Sequence, residues 1–493
     1  MTATATDVAR AVELKNQGNK ALLSNHYQDA IDLYTQAIAL DDTNAVYFAN
    51  RAQAYIKEEM YGAAVEDAST AISLDSNYTK AYYRRAVASA AITKYKEAVA
   101  DFKTVVDRVP SDKDARIRLD ECKKIIRAKA FAKAIEVDGV PKLSESLNVE
   151  DMVVDRDYDG AELDISFDTA SKNKNNVRVN VTEAFVADMI ARFKAGKLLD
   201  RKYLYALVLQ AIQVFEAEPT MVEVNVPEGS VITVCGDTHG QFFDLLNIFE
   251  TNGYPSPTHM YLFNGDFVDR GSWSSEIALL LYAYKILYPS TFFINRGNHE
   301  SDDMNKMYGF EGECKHKYKS EKVFGLFSES FSALPLATLI HEQYLVLHGG
   351  LFSSDDVTID DIRKYNRFAQ KQPGNSGLMM EMLWTDPQPA AGRSASKRGV
   401  GLQFGPDVTA RFCEANGLKA IIRSHEVRMG GYEEEHDGKL VTVFSAPNYC
   451  DSQGNRGAYI NVRAPDYKLE FNTFEAVPHP DIKPMAYASR LMY

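Results

Sequence analysis

The chain reads as two architectures: an all-α repeat solenoid followed by an α/β domain of layered sheets flanked by helices. Three observations predict this. Residues recur with a 34-residue period near the N-terminus, and short apolar strands that each end in a polar loop recur through the second half. The charge also changes between the two parts. The first 135 residues hold 20 Lys and Arg against 18 Asp and Glu, within a chain of 493 residues and net charge −13. The acidic excess therefore lies in the remainder. The expected boundaries are a repeat domain at 11–135, a linker at 136–164, the α/β domain at 165–477 and a C-terminal segment at 478–493.

Ala30, Ala64 and Ala98 stand 34 residues apart; Ala37, Ala71 and Val105 keep the same step, as do Tyr27, Tyr61 and Tyr95. Self-similarity at one fixed period marks stacked structural repeats. The blocks are 11–44, 45–78 and 79–112, with apolar residues at helical spacing in each. Small alanines at fixed positions let paired helices approach closely. A long helix follows, from about Asp112 to Ile135. A plain helical bundle would not keep several positions in phase, and the pattern resembles three tetratricopeptide repeats.

Stacked helix pairs form a concave groove whose lining decides what binds. Lys15 and Asn19, Asn50, and Lys80 and Arg84 fall on equivalent first helices, each four-residue pair on one face. Cations and amides converging there suit a terminal carboxylate and an acidic side chain of a peptide. The set resembles the clamp that holds Glu-Glu-Val-Asp tails of heat-shock protein 90 class chaperones, with Lys57 as an added member. A solvated polar face is the plainer alternative.

The stretch 136–164 turns acidic and irregular, as in Asp155-Arg156-Asp157-Tyr158-Asp159-Gly160, and helical patterns run from Thr182 to Glu216. Six strand-and-loop units then follow. Val231 to Cys235 precedes Gly236-Asp237-Thr238-His239-Gly240, and Tyr261-Leu262-Phe263 precedes Gly265-Asp266-Phe267-Val268-Asp269-Arg270-Gly271. Phe292-Phe293-Ile294 precedes Arg296-Gly297-Asn298-His299-Glu300, and Tyr344 to Leu347 precedes His348-Gly349-Gly350. Ala420-Ile421-Ile422 precedes Arg423-Ser424-His425-Glu426, and Val441 to Phe444 precedes Ser445-Ala446-Pro447-Asn448-Tyr449-Cys450. Helical segments between several of them give the α/β class.

Polar groups at successive strand ends converge on one side of a sheet. Here they are Asp237, His239, Asp266, Asn298, His348 and His425. One carboxylate can bridge two cations while neutral imidazoles and an amide complete each shell, so the inventory is a double metal site. No cysteine belongs to it, which argues against structural zinc. A buried His or a turn Asp is more often structural when it stands alone; six in such loops are not.

Gly-Asp-x-His-Gly, Gly-Asp-x-Val-Asp-Arg-Gly and Gly-Asn-His-Glu, in this order, resemble the dinuclear-metal phosphoesterases. His348-Gly349-Gly350, the Arg-x-His-Glu at 423–426 and Ser-Ala-Pro-Asn-Tyr-Cys narrow the resemblance to the phosphoprotein phosphatase family. That resemblance implies that Asp237, His239 and Asp266 hold one metal. Asp266, Asn298, His348 and His425 would hold the other, with Asp266 bridging. It makes His299 the proton donor oriented by Asp269, and Arg270 and Arg398 the grip on substrate phosphate beside Tyr449. The substrate site would comprise His239, Arg270, Asn298, His299, Arg398 and His425; Arg296 belongs to a supporting shell.

The implied activity is hydrolysis of phosphoserine and phosphothreonine in proteins by a hydroxide that two metals activate. Manganese is the first choice, with magnesium, iron or zinc as alternatives. In phosphatases of this kind the repeats fold back over the cleft, which points to Glu59 as an autoinhibitory residue. The segment 478–493 would brace that closed state, and a chaperone tail or an amphipathic lipid would open it. Two other readings compete: a nucleotide or dinucleoside polyphosphate hydrolase, and a catalytically inert chaperone adaptor.

The acidic second part disfavours a broad nucleic-acid surface. The longest apolar run, 278–287, is broken by Lys285 and too short to span a bilayer. Met1 to Arg10 lacks the pattern of a secretory signal, and five cysteines without CxxC spacing fit a reducing compartment. Cytoplasmic and nuclear placement is the expectation.

Overall fold

The computed structural model describes residues 4–135, 142–167, 176–489 and 491. The remaining parts of the expected linker and C-terminal segment lie outside these residues. The chain splits into two compact units: 1–140 with 395–401 and 490–493, and 141–394 with 402–489.

The first unit is built from three helix pairs, Ala5–Leu23 with Tyr27–Leu40, Ala45–Lys57 with Tyr61–Leu74, and Thr79–Ala91 with Tyr95–Arg108. The helix Lys113–Ile135 follows. The first helix starts ahead of the repeat period because Thr4 and Asp7 form a capping box, the Thr4 hydroxyl accepting from the Asp7 amide. Ala30, Ala64 and Ala98 are fully buried between the helices. A Cβ on Gly18 would come within 2.7 Å of the Tyr34 ring, so that helix pair closes only around glycine. Two ion pairs repeat with the period. Arg51 meets both carboxylate oxygens of Asp67 at 2.7 and 2.8 Å, and Arg85 meets those of Asp101 at 2.7 and 2.9 Å. Each turn between paired helices also carries one left-handed residue: Asn25 at φ 61°, Glu59 at 59° and Thr93 at 60°.

In the second unit a six-stranded and a five-stranded sheet pack face to face. The five-stranded sheet runs Leu469–Phe474, Gly457–Arg463, Val231–Cys235, His259–Phe263, Phe292–Ile294, the last three parallel. The six-stranded sheet runs Tyr432–Glu435, Leu440–Val443, Ala420–Arg423, Tyr344–Leu347, Ala337–Ile340, Met221–Val224. Ile232, Val234, Leu262, Val346, Ile422 and Val441 fill the space between them. Helices Glu183–Lys194, Arg201–Ala217 and Ser274–Leu287 cover the outer face of the five-stranded sheet. A parallel bridge from Asp237 to Phe444 joins the sheets where the loops emerge. A Cβ on Gly236 would lie 2.1 Å from the Val443 carbonyl oxygen, so only glycine allows that approach.

The stretch 142–164, expected to be an irregular linker, contributes to the second unit's core. Leu147, Val149 and Leu163 are buried there, and Asp159 pairs with Arg192 at 2.6 Å. Among the described residues no helix is long and apolar enough to cross a membrane.

Candidate metal centre and phosphoesterase site

The parallel strands of both sheets release their polar loops at one end, and six buried side chains meet there. Two groups of three donors form, each with ligand atoms within 4.8 Å of one another: His239, Asp266 and His299, and Asp266, His348 and His425. Asp266 belongs to both. His348 Nε2 lies 2.8 Å from Asn298 Oδ1, 3.2 Å from Asp266 Oδ2 and 3.3 Å from His425 Nδ1. His239 Nε2 lies 3.7 Å from Asp266 Oδ2 and 3.8 Å from Asp237 Oδ2. All six residues expected as ligands thus stand in one cluster, together with His299.

The outer ring nitrogens are fixed from behind. His239 Nδ1 donates to the Val268 carbonyl at 3.0 Å and His348 Nδ1 to the Asn264 carbonyl at 2.8 Å, which leaves Nε2 of each ring for the cluster. His239, Asp266, Asp269, Arg270 and His425 all hold positive φ, between 38° and 72°. Such backbone collects where function requires it and is held by its surroundings. Glu300 supplies that hold for Asp266: its carboxylate accepts from the amides of Asp266, Phe267 and Gly297 at 2.8, 3.0 and 2.7 Å. A Cβ on Gly297 would stand 2.2 Å from Asp266 Oδ1.

The electrostatics fit divalent cations. Burial keeps the His239 imidazole well below its ordinary range, with His299 and Arg270 adding to the effect. Burial also lowers His348, which Asp237 opposes. Both shifts favour the neutral ring, the form that ligates a metal. Burial raises the Asp237 carboxyl to about 7, with His348 opposing and Asp266 reinforcing. A cation among these groups reverses that penalty.

His299 stands beside the cluster with Nδ1 2.8 Å from Asp269 Oδ2. The Arg270 guanidinium lies over the Tyr308 ring at 3.9 Å, and the Tyr449 ring lies 5.3 Å from that of His239. Arg296 is fully buried, donating to the Glu300 and Lys371 carbonyls in a supporting position. Arg398 belongs to the segment 395–401 of the first unit, where its amide donates to Ser396 Oγ at 3.1 Å.

In the first unit Asn50 Nδ2 donates to Asn19 Oδ1 at 3.0 Å, and Arg84 Nη1 donates to Asn50 Oδ1 at 3.1 Å. These three stand in a ladder across the repeats. Lys57 and Lys80 are exposed and Lys15 half-buried on the same three first helices. Sequence reasoning missed Asn264, Asn305 and Tyr308, and it quoted Glu300 without giving it a role. Only the place of Glu300 directly after His299 signalled it.

Two sheets closing over a cluster of carboxylates, imidazoles and one amide define a metal-dependent phosphoesterase. The family model described as calcineurin-like phosphoesterase matches residues 230–429, and that for the PPP5 TPR repeat region matches 119–223. The chain is 60% identical over 483 residues to the serine/threonine-protein phosphatase T of Aspergillus oryzae, spanning 98% of each. It is 50% identical over 484 residues to the human serine/threonine-protein phosphatase 5, covering 98% of this chain and 94% of that one. A solved Saccharomyces cerevisiae protein serine/threonine phosphatase, described as similar to human phosphatase PP5, superposes with a TM-score of 0.60 at 55% identity. It covers 62% of this chain and 100% of its own. The chain belongs to the serine/threonine-protein phosphatase 5/T family, an enzyme family of phosphoric monoester hydrolases with a repeat region ahead of the catalytic domain.

Proposed function

We propose that the chain removes phosphate from phosphoserine and phosphothreonine in proteins by direct displacement at phosphorus, without a phosphoenzyme. The observation that carries this reading is the place of Asp266 between His239 and His348, its Oδ2 3.7 Å and 3.2 Å from their Nε2 atoms, with the Asp269–His299 pair beside the cluster. Asp237, His239 and Asp266 would hold one divalent ion; Asp266, Asn298, His348 and His425 would hold the second. Two such ions, when bound, supply Lewis acidity toward the phosphoryl oxygens and make hydroxide available near neutral pH. Manganese suits this mixed set of oxygen and imidazole donors.

The chain's own residues do the rest. Arg270 and Arg398 donate charge-assisted hydrogen bonds to the phosphoryl oxygens, and Tyr449 lines the cleft. As hydroxide attacks in line, the P–O bond to serine breaks and its electron pair stays on the seryl oxygen. His299 delivers a proton to that oxygen from Nε2, while Asp269 holds Nδ1 and stabilises the cationic ring. An alkoxide leaves poorly, so this proton is worth about 10²–10⁴ in rate.

The repeats, at 11–135, bind the Glu-Glu-Val-Asp tail of heat-shock protein 90 class chaperones through Lys15, Asn19, Asn50, Lys57, Lys80 and Arg84. The Asn19–Asn50–Arg84 ladder supports this, because it aligns donors along successive first helices. Basal activity is held low by Glu59 acting in place of substrate phosphate. Glu59 sits in the turn between the paired helices Ala45–Lys57 and Tyr61–Leu74, at the positive φ that Asn25 and Thr93 share in the equivalent turns. The segment 478–493 takes part: the Met485 amide donates to the Arg270 carbonyl at 2.6 Å, and Ser272 Oγ donates to the Lys483 carbonyl at 3.1 Å. Amphipathic lipids are further activators. Cytoplasmic and nuclear placement accords with cysteines that are all free. Phosphopeptide turnover by the full chain, with manganese and with chelator, tests the catalytic reading.

A further inference from the structure

Asn305 sits fully buried on the short helix Asp302–Tyr308, against the Asp269–His299 pair. Its Nδ2 donates to Asp269 Oδ2 at 3.0 Å and to the His299 carbonyl oxygen at 2.6 Å. The same Oδ2 accepts from His299 Nδ1 at 2.8 Å, and Oδ1 accepts from the Phe310 amide at 2.9 Å. Both hydrogens of one nitrogen thus go to the two halves of one dyad. The surroundings fix the amide's orientation: turned over, its oxygen would face a carboxylate and a carbonyl, two acceptors. As it stands, Oδ1 is buried with no hydrogen-bond partner. Folds seldom leave a buried acceptor unsatisfied, and here the orphan oxygen accompanies two well-placed donors.

We propose that Asn305 is a positioning residue for the leaving-group acid, locking the Asp269 carboxylate and the His299 backbone so that Nε2 meets the scissile oxygen. The inference rests on His299 being that acid. Asn305 touches no reacting atom and acts through the dyad alone. Without it the carboxylate keeps only one donor besides the imidazole and can rotate. Serine would replace a single hydrogen bond, and aspartate none. The same helix also fixes the phosphate-gripping arginine, since the Tyr308 carbonyl accepts from the Arg270 amide at 3.1 Å and its ring lies 5.0 Å from that of His299.

The test compares Asn305→Ala and Asn305→Ser in the full chain on a phosphoserine peptide and on p-nitrophenyl phosphate, with manganese. Asn305→Ala should lower kcat on the peptide about 10- to 100-fold with KM nearly unchanged, and lose less than about threefold on the aryl ester. Asn305→Ser should fall between, and it decides the question if the alanine variant does not fold. In a His299→Asn background, Asn305→Ala should add no further loss. Independently of turnover, the downfield proton resonance of the His299–Asp269 hydrogen bond, absent in His299→Asn, should shift or broaden. Equal losses on both substrates, additive losses in the double variant or an unchanged resonance would overturn the proposal. If His299→Asn discriminates between the substrates and the Asn305 variants do not, the positioning role alone falls. If His299→Asn itself shows no discrimination, the acid reading falls and takes this one with it.

Discussion

Asp269 Oδ2 stands 2.8 Å from Nδ1 of His299, which leaves Nε2 as the ring nitrogen turned toward the metal cluster. Replacing His299 with Asn should therefore retain metal yet lower turnover of phosphoserine peptides by about 10²–10⁴. The loss on p-nitrophenyl phosphate should be smaller, because that leaving group needs little protonation. Equal losses would count against the acid role.

Asp266 belongs to both donor groups, so Asp266→Asn should weaken both metal sites together. Metal analysis of wild type after gel filtration in manganese should give about two ions per chain. Loss of only one ion from the variant would show that the carboxylate does not bridge.

Arg84 donates to Asn50 while Lys80, one turn earlier, is exposed. Calorimetry should find a Met-Glu-Glu-Val-Asp peptide bound by the full chain. Lys80→Ala with Arg84→Ala should weaken it about tenfold or more, since hydrogen bonds to charged groups are worth about 1.5–3 kcal/mol. Unaltered affinity would place the peptide elsewhere.

Removing the repeats, or making Glu59→Ala, should raise basal phosphopeptide turnover several-fold. The cut belongs at residue 141, because a cut at 164 would strip Leu147, Val149 and Leu163 from the phosphatase core. Equal basal rates for chains 1–493 and 142–493 would refute autoinhibition.

His259 is half-buried, its Nε2 2.9 Å from Thr233 Oγ1 and its ring stacked on Tyr261, and burial lowers it to about 4. A histidine depressed in the fold contributes stability above pH 6.5 that is lost as pH falls toward 4. With allowance for its exposure, about 1–2 kcal/mol is at stake. The unfolding midpoint of wild type should therefore drop faster than that of His259→Gln between pH 6.5 and 4. Parallel curves would mean that His259 carries none of the acid sensitivity.

The ligand loops were legible because each motif is local: a strand, a turn and a ligand within about five residues. Less legible was whatever depends on distant partners. Tyr432–Glu435 carries three glutamates and no apolar alternation, yet it pairs antiparallel with Leu440–Val443, from Tyr432 opposite Val443 to Glu435 opposite Leu440. The stretch 142–164 spaces its apolar residues at neither helical nor strand period; its order comes from burial of Leu147 and Val149 and from Arg192 gripping Asp159. Asn305 shows why a positioning residue escapes pattern reading. One amide on a seven-residue helix has no spacing to betray it, and its meaning lies in a dyad formed by residues on two other loops.

Hydrolysis of phosphoserine at the Asp266 cluster depends on bound metal, and removing and restoring the ions separates that chemistry from any other route. Phosphoserine-peptide turnover should be followed in the full chain stripped of metal by chelation, then again after manganese is restored. Turnover should fall near zero in the stripped protein and recover on adding manganese. Full turnover in the stripped protein would contradict metal dependence.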